Sequence, residues 1–237
     1  MGVDKSGQRV RQMFGQIAWR YDFLNHLLSL GMDYRWRQIA VCRAPPMPGL
    51  PILDICTGTA DLALAYWRAS RAAAPVVGVD FCRLMLLEAW QKTKRFGAKG
   101  LRLIEADATA LPFPSNLFQI VSVAFGLRNI QQPEKALREM VRVCRGGGRV
   151  VILEFSLPQP SLVRRVYAWY FRWILPRIGQ ALAPNQWNAY YYLPISVEEF
   201  PPEHYWTERM KAAGLAQIYV EPLTFGIATL YLGQKPF

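Results

Sequence analysis

The sequence predicts an α/β protein with a mostly parallel, seven-stranded sheet, helices on both faces and an antiparallel hairpin at the C-terminal end. Two observations lead to this fold class. Short apolar runs alternate with helical stretches through the middle of the chain, as in parallel sheets that helices cover on both faces. The last two strand-like runs are joined by a connection too short for a crossover, so we expect them to pair antiparallel.

The predicted strands and helices follow one another in regular order. The strands are short runs rich in β-branched residues, and the stretches between most of them have the pattern of helices. In chain order, the predicted elements are strand 51–55, helix 62–71, strand 76–80, helix 84–94, strands 101–105 and 120–125, helix 133–145, strand 149–155, helix 203–213, and strands 216–220 and 227–232.

Two segments lie outside this alternation. Residues 8–43 carry apolar side chains at helical spacing, and the stretch 44–49 is rich in Pro and breaks that pattern. We therefore expect residues 1–43 to form a helical cap over the site and residues 44–237 to form the main domain. Residues 157–197 are rich in Tyr, Trp, Arg and Pro and contain no Asp or Glu, which indicates a lid-like insertion over the sheet.

The composition narrows the class of protein. Apolar residues make up 52% of the chain and charged residues 19%, which indicates a folded globular protein. The four cysteines have neither metal-ligand nor redox spacing, and the chain has two histidines, so we expect no metal site and a reduced, cytoplasmic setting. We recognise neither a signal peptide nor an apolar run long enough to span a membrane.

The loop after the first strand has the features of a cofactor site. Ligands of open α/β sheets bind at the carboxyl ends of the strands, and here Gly58 allows the backbone to come close to a ligand. A dinucleotide site needs a G-x-G-x-x-G loop for its pyrophosphate, whereas this loop has a single glycine. Asp54 and Asp61 place negative charge beside it, which favours the cationic cofactor S-adenosylmethionine.

The next two strands also end in acidic residues. Asp80 follows the second strand and is placed to accept hydrogen bonds from ribose hydroxyls. Asp107 and Ala108 follow the third strand, where a carboxylate can accept from the adenine amino group and a backbone N–H can bind the ring. A single Asp at such a position is more often a turn or capping residue, but three strand ends with acidic residues around Gly58 favour a nucleotide-type site.

Six segments, in order along nearly the whole chain, carry a family resemblance. They are 14–22 with Asn25, 53–61, 108–114, 124–129, 153–156 and 223–228. Together they resemble the ubiquinone/menaquinone biosynthesis C-methyltransferase family. The resemblance implies a Rossmann-like class I fold and an S-adenosylmethionine-dependent C-methyltransferase. The most specific segments are Phe-Gly-Leu-Arg-Asn at 125–129 and Leu-Thr-Phe-Gly-Ile-Ala at 223–228.

The resemblance also implies individual cofactor contacts. They fall on Thr59, Asp80, Asp107 and Ala108. The chain departs from the family at three positions near the cofactor: the family usually has Gly where Thr57 and Ala60 stand, and some members have Ser where Ala124 stands. None of these departures removes a charged contact, so methyltransferase activity remains the expectation.

Three residues are candidates for the chemistry. Methylation of a quinol ring carbon needs an in-line methyl donor, an electron-rich ring and exclusion of water. Arg128 follows the fourth strand and is predicted to stabilise the phenolate, with structural pairing to Glu154 as the alternative. Tyr21 and Asp22 are predicted to close the pocket, although a Tyr in an apolar helix often serves packing alone.

The insertion has the pattern of an interfacial helix. An apolar and aromatic stripe at helical spacing is flanked by two arginines, which is typical of a helix that lies on an anionic membrane. The alternative is a lid helix packed on the domain with its arginines in water. The stripe consists of Leu162, Val166, Trp169, Tyr170 and Trp173, and the flanking residues are Arg165 and Arg172.

The predicted function is methyl transfer from S-adenosylmethionine to a ring carbon of a polyprenyl quinol, either demethylmenaquinol or a related benzoquinol. One alternative is a methyltransferase for a sterol or a phenol. Another is a non-enzymatic RNA-binding protein that uses the net charge of +11. The basic residues are spread without a stacking platform, so we expect no nucleic acid partner. Whether the chain forms a homodimer is left open.

Overall fold

One seven-stranded sheet organises the protein. The computed structural model describes residues 4–158, 164, 165, 167, 169–174, 177 and 189–237. Within these residues the strand order is β3-β2-β1-β4-β5-β7-β6. The strands are β1 (Ile52–Ile55), β2 (Val76–Asp80), β3 (Leu101–Glu105), β4 (Phe118–Ala124), β5 (Cys144–Phe155), β6 (Ala216–Leu223) and β7 (Ala228–Gln234).

The strand directions confirm the predicted fold class. β1 pairs parallel with β2 and β4, and the parallel pairing continues to β3 and β5. β7 is antiparallel to both of its neighbours, so six strands point the same way and one points back. β5 begins earlier than predicted because the glycine run at 146–148 continues the strand, and Gly147 pairs there with Lys235.

Seven α-helices are described beside the sheet. They are α1 (Gly7–Leu28), α2 (Met32–Arg43), α3 (Asp61–Ala69), α4 (Arg83–Arg95), α5 (Pro133–Val143), α6 (Ala189–Glu198) and α7 (Glu203–Ala212). Short 3₁₀ turns lie at Leu127–Asn129 and Thr224–Gly226, and a π-helical turn lies at Tyr170–Ile174. The first two helices match the predicted helical segment, while the division into a cap and a main domain stays a prediction.

The core lies on both faces of the sheet. Successive residues of a strand point to opposite faces, so Ile52 of β1 belongs to one buried cluster and Leu53 to the other. The same alternation places Val151 in the first cluster and Val150 in the second. Continuous apolar runs therefore suit these strands.

Much of the predicted insertion, including Leu162 and Val166, lies outside the described residues. In the part that is described, Trp169 and Trp173 are exposed. Tyr170 instead packs beside α1, where its hydroxyl donates to the Leu28 carbonyl at 3.0 Å. Across the described parts of the chain, no helix combines the length and apolarity needed to cross a bilayer.

Candidate cofactor and substrate site

A cleft of about 780 Å³ opens at the carboxyl ends of β1 to β4, with α1 as one wall. This volume falls in the usual range for small-molecule sites. Among the predicted site residues, the cleft brings together Tyr21, Gly58, Asp80, Asp107 and Ala108. The other four predicted residues do not line it; they are Asp22, Asp54, Thr59 and Arg128.

Asp80 has the strongest geometry for a ligand contact. Its buried carboxylate accepts the Gly58 N–H at 2.8 Å on one oxygen and the Cys82 N–H at 2.9 Å on the other. Each oxygen retains a lone pair for a further donor. Burial raises the pKa of Asp80 to about 6, although the backbone N–H groups oppose this shift. The side chain is therefore fixed in place and can still accept from a ligand.

The loop after β1 comes very close to the loop after β4. Gly58 has a φ of +55°, which favours glycine because a Cβ is strained there. A Cβ built on Gly126 would overlap the Cβ of Cys56. Glycine at 126 is thus required by the side chain of Cys56, a constraint that the sequence alone did not reveal.

The third strand end supplies the outer part of the cleft. Asp107 is exposed and accepts the Thr109 N–H at 2.7 Å, so it stabilises its own turn while it also lines the cleft. Ala108 is buried beside it. Phe81 and Met85 add an apolar surface that sequence reasoning missed. Their position just after Asp80 is the signal that could have indicated them.

Asp54 faces the interior of the sheet rather than the cleft. Thr57 donates to its Oδ2 at 2.7 Å and Ser122 donates to its Oδ1 at 2.8 Å. Burial raises the pKa of Asp54 to about 6, and these two hydroxyl donors oppose the shift. The carboxylate therefore ties the loop to β4. A direct cofactor contact stays a prediction for this residue.

Asp22 and Thr59 meet in an ion-pair cluster behind the cleft. The Thr59 hydroxyl donates to Asp22, and Lys92 Nζ lies 2.5 Å from both Asp22 Oδ2 and Asp61 Oδ1. Asp22, His26 and Asp61 are close enough to hold a metal ion. The Lys92 ammonium already supplies positive charge between the two carboxylates, and it joins α1 to α3 and α4.

A second buried pair connects this cluster to α2. Arg37 Nη1 lies 2.5 Å from Asp33 Oδ2, and its Nη2 lies 3.5 Å from Asp61 Oδ2. Burial opposes ionisation of Asp33, but hydrogen bonds from His26 and Ser29 and the charge of Arg37 lower its pKa. The turn between α1 and α2 is therefore held by charge-assisted hydrogen bonds.

Arg128 is buried against Glu154, in the pairing that the sequence left open as the alternative. Its Nη1 lies 2.5 Å from Glu154 Oε1 and donates to the Phe125 carbonyl at 2.6 Å. Its Nε donates to Ser196 Oγ at 3.3 Å. Phe125 has a φ of 58° and lines the cleft. The guanidinium thus holds a strained residue of the cleft wall from behind.

Two polar groups face the cleft from this side. Burial raises the pKa of the Tyr21 phenol, although the charges of Arg128 and Arg37 oppose the shift. Asn129 also lines the cleft, and its Oδ1 accepts the Tyr192 hydroxyl at 3.1 Å. Sequence reasoning did not select Asn129 or Tyr192. Asn129 ends the Phe-Gly-Leu-Arg-Asn segment and could have been chosen on that ground.

Comparison with known proteins gives matches along nearly the whole chain. The model of the ubiE/COQ5 methyltransferase family matches residues 2–235. The chain is 46% identical to the demethylmenaquinone methyltransferase of Thermus thermophilus, over 94% of this chain and all of that protein. It is 43% identical to the ubiquinone/menaquinone biosynthesis C-methyltransferase UbiE of Geobacter sulfurreducens, over 98% of this chain and 91% of the relative.

Solved structures agree on the fold. An S-adenosylmethionine-dependent methyltransferase from Aquifex aeolicus matches with a TM-score of 0.61 and 16% identity, over 83% of this chain and 88% of that one. Phosphoethanolamine N-methyltransferase 2 of Haemonchus contortus, in complex with S-adenosylmethionine, has a TM-score of 0.61 and 18% identity, over 88% and 57% of the two chains.

The solved structures confirm the predicted fold class. The family match and the relatives confirm the prediction that the protein is an S-adenosylmethionine-dependent methyltransferase. They also confirm the family resemblance, because the matched residues extend almost from one end of the sequence to the other. The chain belongs to the ubiE/COQ5 methyltransferase family.

Proposed function

We propose that the chain transfers the methyl group of S-adenosylmethionine to a ring carbon of a polyprenyl quinol, demethylmenaquinol or a related benzoquinol. One observation carries the proposal. The cleft at the carboxyl ends of β1 to β4 places Asp80 and Asp107 beside Tyr21 and Asn129, so nucleotide-type contacts and polar groups for a ring share one space. Relatives named for demethylmenaquinone and for ubiquinone/menaquinone biosynthesis support the quinol.

The residues of the cleft fit S-adenosylmethionine better than a dinucleotide. Asp80 would accept from the ribose hydroxyls, and Asp107 and Ala108 would contact the adenine beside the apolar surface of Phe81. The Gly58 N–H is already donated to Asp80 and is not free for a pyrophosphate. When bound, the cofactor supplies the electrophilic methyl group.

The transfer forms a bond between the ring carbon and the methyl carbon as the bond from sulfur to methyl breaks. The ring supplies the electron pair, its phenolic oxygen gains negative charge as its proton passes to solvent, and the ring carbon afterwards loses its hydrogen to solvent as a proton. Positioning and stabilisation of this charge are the contributions that a protein makes to such a step.

Tyr21 suits the role of hydrogen-bond donor to the phenolic oxygen. Because burial raises its pKa above the ordinary value near 10, the phenol stays protonated at neutral pH and can donate but not act as a base. Asn129 Oδ1 accepts the Tyr192 hydroxyl, and Asn129 Nδ2 donates to the Phe125 carbonyl at 3.4 Å. Its second N–H is a further donor for the ring oxygens.

Arg128 and Asp22 fit positioning roles in this scheme. The sequence suggested direct stabilisation of the phenolate by Arg128, but its guanidinium is engaged by Glu154, the Phe125 carbonyl and Ser196. We place it as the residue that fixes Phe125 and the turn carrying Asn129. Asp22 holds the Thr59 hydroxyl and Lys92, and so fixes α1 against the cofactor loop.

The proposal is tested by product analysis. The protein is incubated with labelled S-adenosylmethionine and a panel of demethylmenaquinol, a demethylated benzoquinol, a simple phenol and a sterol, and the extracts are analysed by mass spectrometry. We expect methylation at a ring carbon of a quinol. Methylation of only the phenol or the sterol would replace the substrate assignment. Salt-dependent RNA binding without cofactor affinity would favour the non-enzymatic alternative.

A further inference from the structure

The solvent face of α1 carries a row of large apolar side chains. Trp19, Phe23, Leu27 and Leu30 are exposed, and Trp19 and Phe23 are 63% and 60% accessible. The first three are four residues apart and Leu30 follows at three, so they lie on one side of the helix and the turn that follows it. A contiguous exposed apolar surface on a protein marks an interaction site more often than single exposed residues do.

Helix α4 extends this surface. Leu84 and Leu87 are about half exposed. A Cβ built on Gly15 would lie 2.8 Å from Leu84 Cδ1, and about two turns further along the pair of helices Asp22 meets Lys92. Trp19 is four residues from Gly15 on α1, and Leu87 is three residues from Leu84 on α4, so each is a helical neighbour of a residue at which the two helices touch. The two apolar rows are therefore neighbours.

We infer that this surface, the α1–α4 face (Trp19, Phe23, Leu27, Leu30, Leu84 and Leu87), docks on an anionic lipid bilayer. The inference rests on the proposed function, since a polyprenyl quinol is dissolved in the bilayer. Aromatic residues with adjacent basic residues are the composition of surfaces that lie in the membrane interface.

The charges around the α1–α4 face fit anionic lipid. The Arg20 guanidinium lies 4.0 Å from the Trp19 ring centroid, and Lys94 Nζ lies 5.0 Å from the ring of Trp90, which is exposed next to the face. Of the carboxylates nearby, Asp22 is paired with Lys92, while Glu88 is half-buried on α4. A second copy docked symmetrically would bring the same cations together, whereas an anionic headgroup attracts them.

Helix α1 connects this face with the cleft. Phe14 and Tyr21 line the cleft from the inner side of the helix, while Trp19 and Phe23 face solvent on the outer side. At the end of α1, the Tyr170 hydroxyl donates to the Leu28 carbonyl, so the insertion contacts α1 next to Leu27. Docking on this face would hold the cleft wall next to the bilayer in which the quinol is dissolved.

The test is co-sedimentation with vesicles of phosphatidylcholine alone and of phosphatidylcholine with phosphatidylglycerol, at low and high salt. Three double variants are compared: Trp19→Gln with Phe23→Gln on the face, Arg165→Glu with Arg172→Glu on the insertion, and Met47→Gln with Leu117→Gln as a control. Met47 and Leu117 are exposed apolar residues at the amino-terminal end of β4, at the opposite end of the strands from the cleft. Cofactor affinity by calorimetry and turnover with a water-soluble short-tailed quinol are measured for each.

We expect the protein to bind anionic vesicles in a salt-sensitive way. The Trp19/Phe23 variant should lose about tenfold or more in the vesicle partition coefficient, while the control variant binds as the parent does. Cofactor affinity and turnover in solution should be unchanged, so a failure of the proposed function is seen in those measurements and not in the vesicle assay.

Three results would overturn the inference. The first is a parent protein that binds none of the vesicles. The second is a Trp19/Phe23 variant that sediments like the parent, including the case in which only the Arg165/Arg172 variant loses binding. The third is a parent dimer in sedimentation equilibrium that this variant dissociates without any change in vesicle binding, which would make the face an interface between copies.

Discussion

Arg128 Nη1 lies 2.5 Å from Glu154 Oε1, and neither side chain has appreciable contact with solvent. Removal of one partner from a buried pair leaves an uncompensated charge, whereas removal of both does not. This asymmetry separates a structural contribution of Arg128 from a contribution to the reaction, because the two roles respond differently to a second substitution.

Arg128→Met alone should lower the free energy of unfolding by about 3–5 kcal/mol, because Glu154 is left charged and unpaired in the core. Arg128→Met combined with Glu154→Gln should recover most of that loss. Thermal melts and turnover at saturating cofactor are measured for both variants. If the double variant is stable but about 10²–10³ slower than the parent, Arg128 acts on the reaction as well. A stable single variant would contradict the buried-pair assignment.

Asp80→Ala should weaken S-adenosylmethionine binding by about 1.5–3 kcal/mol, the usual range for hydrogen bonds to a charged group. Asp107→Asn serves as the comparison, since that exposed side chain retains an oxygen for the Thr109 N–H and should have a smaller effect. Calorimetry on folded protein gives both affinities. Unchanged affinity in Asp80→Ala would remove this residue from the site, and tight binding of NAD would overturn the cofactor assignment.

Cofactor affinity should depend on pH through Asp80. Burial raises the pKa of this carboxyl to about 6, and the ionised form is the better acceptor for ribose hydroxyls. The dissociation constant should therefore rise as the pH falls through about 6 and should be flat above about 7. Titrations between pH 5 and 8 measure this change, and Asp80→Asn should abolish it.

Asp54 should make the folded protein less stable as the pH rises. Its pKa in the folded state is about 6, above the value near 3.9 of an exposed Asp. The folded state therefore binds the proton more tightly than the unfolded state, and stability falls between about pH 4 and pH 6. Asp54→Asn should reduce this part of the pH dependence in chemical unfolding. An identical pH profile in the variant would show that ionisation of Asp54 changes the free energy of unfolding very little.

Tyr21→Phe should lower turnover by about 10²-fold, as expected when one donor to a developing oxyanion is lost, and should leave cofactor affinity nearly unchanged. Tyr192→Phe is the matched control, because it removes a phenol that donates to Asn129 instead of one that lines the cleft. The control should be impaired less. Equal turnover in Tyr21→Phe and the parent would show that Tyr21 contributes to packing and not to the reaction.

Thr57 and Ala60, both in the cofactor loop, should respond differently to replacement by glycine in their effect on stability. Ala60 has a φ of 69°, so Ala60→Gly relieves about 1–2 kcal/mol of strain but loses a buried methyl group worth about 0.8 kcal/mol and makes the unfolded chain more flexible. Its net effect should stay within about 1 kcal/mol. Thr57→Gly removes the hydroxyl that donates to Asp54 and should cost about 1–3 kcal/mol, as measured by chemical unfolding.

The sequence alone was sufficient to predict the sheet and the strand ends that form the cleft. Central strands buried on both faces have an apolar pattern that requires no knowledge of their neighbours, and Gly58 and Asp80 follow such strands directly. Asp54 shows what the pattern lacks. It lies in β1 opposite Ser122 of β4, and only the register of the two strands reveals that this neighbour turns the carboxylate away from the cleft.

Contacts between helices that are far apart in the sequence could not be predicted from it either. Thr59 and Asp22 were expected at the site, but their partner Lys92 comes from α4, and no local periodicity indicates that three separate segments meet there. The pairing of Arg128 with Glu154 could be proposed as an alternative, since both lie in family-specific segments. The choice between pairing and direct catalysis depends on which way the side chain points, and that follows from packing.

The contact between Cys56 and Gly126 couples two positions that mutate independently in the gene. Both cannot carry a Cβ in this arrangement, so a larger residue at 126 becomes acceptable only after position 56 has itself become glycine. Cys56 has a φ of 49°, a conformation that glycine adopts without strain. An exchange of the small residue between the two loops is therefore an open evolutionary route, but its steps must occur in one order, with the change at 56 preceding the change at 126.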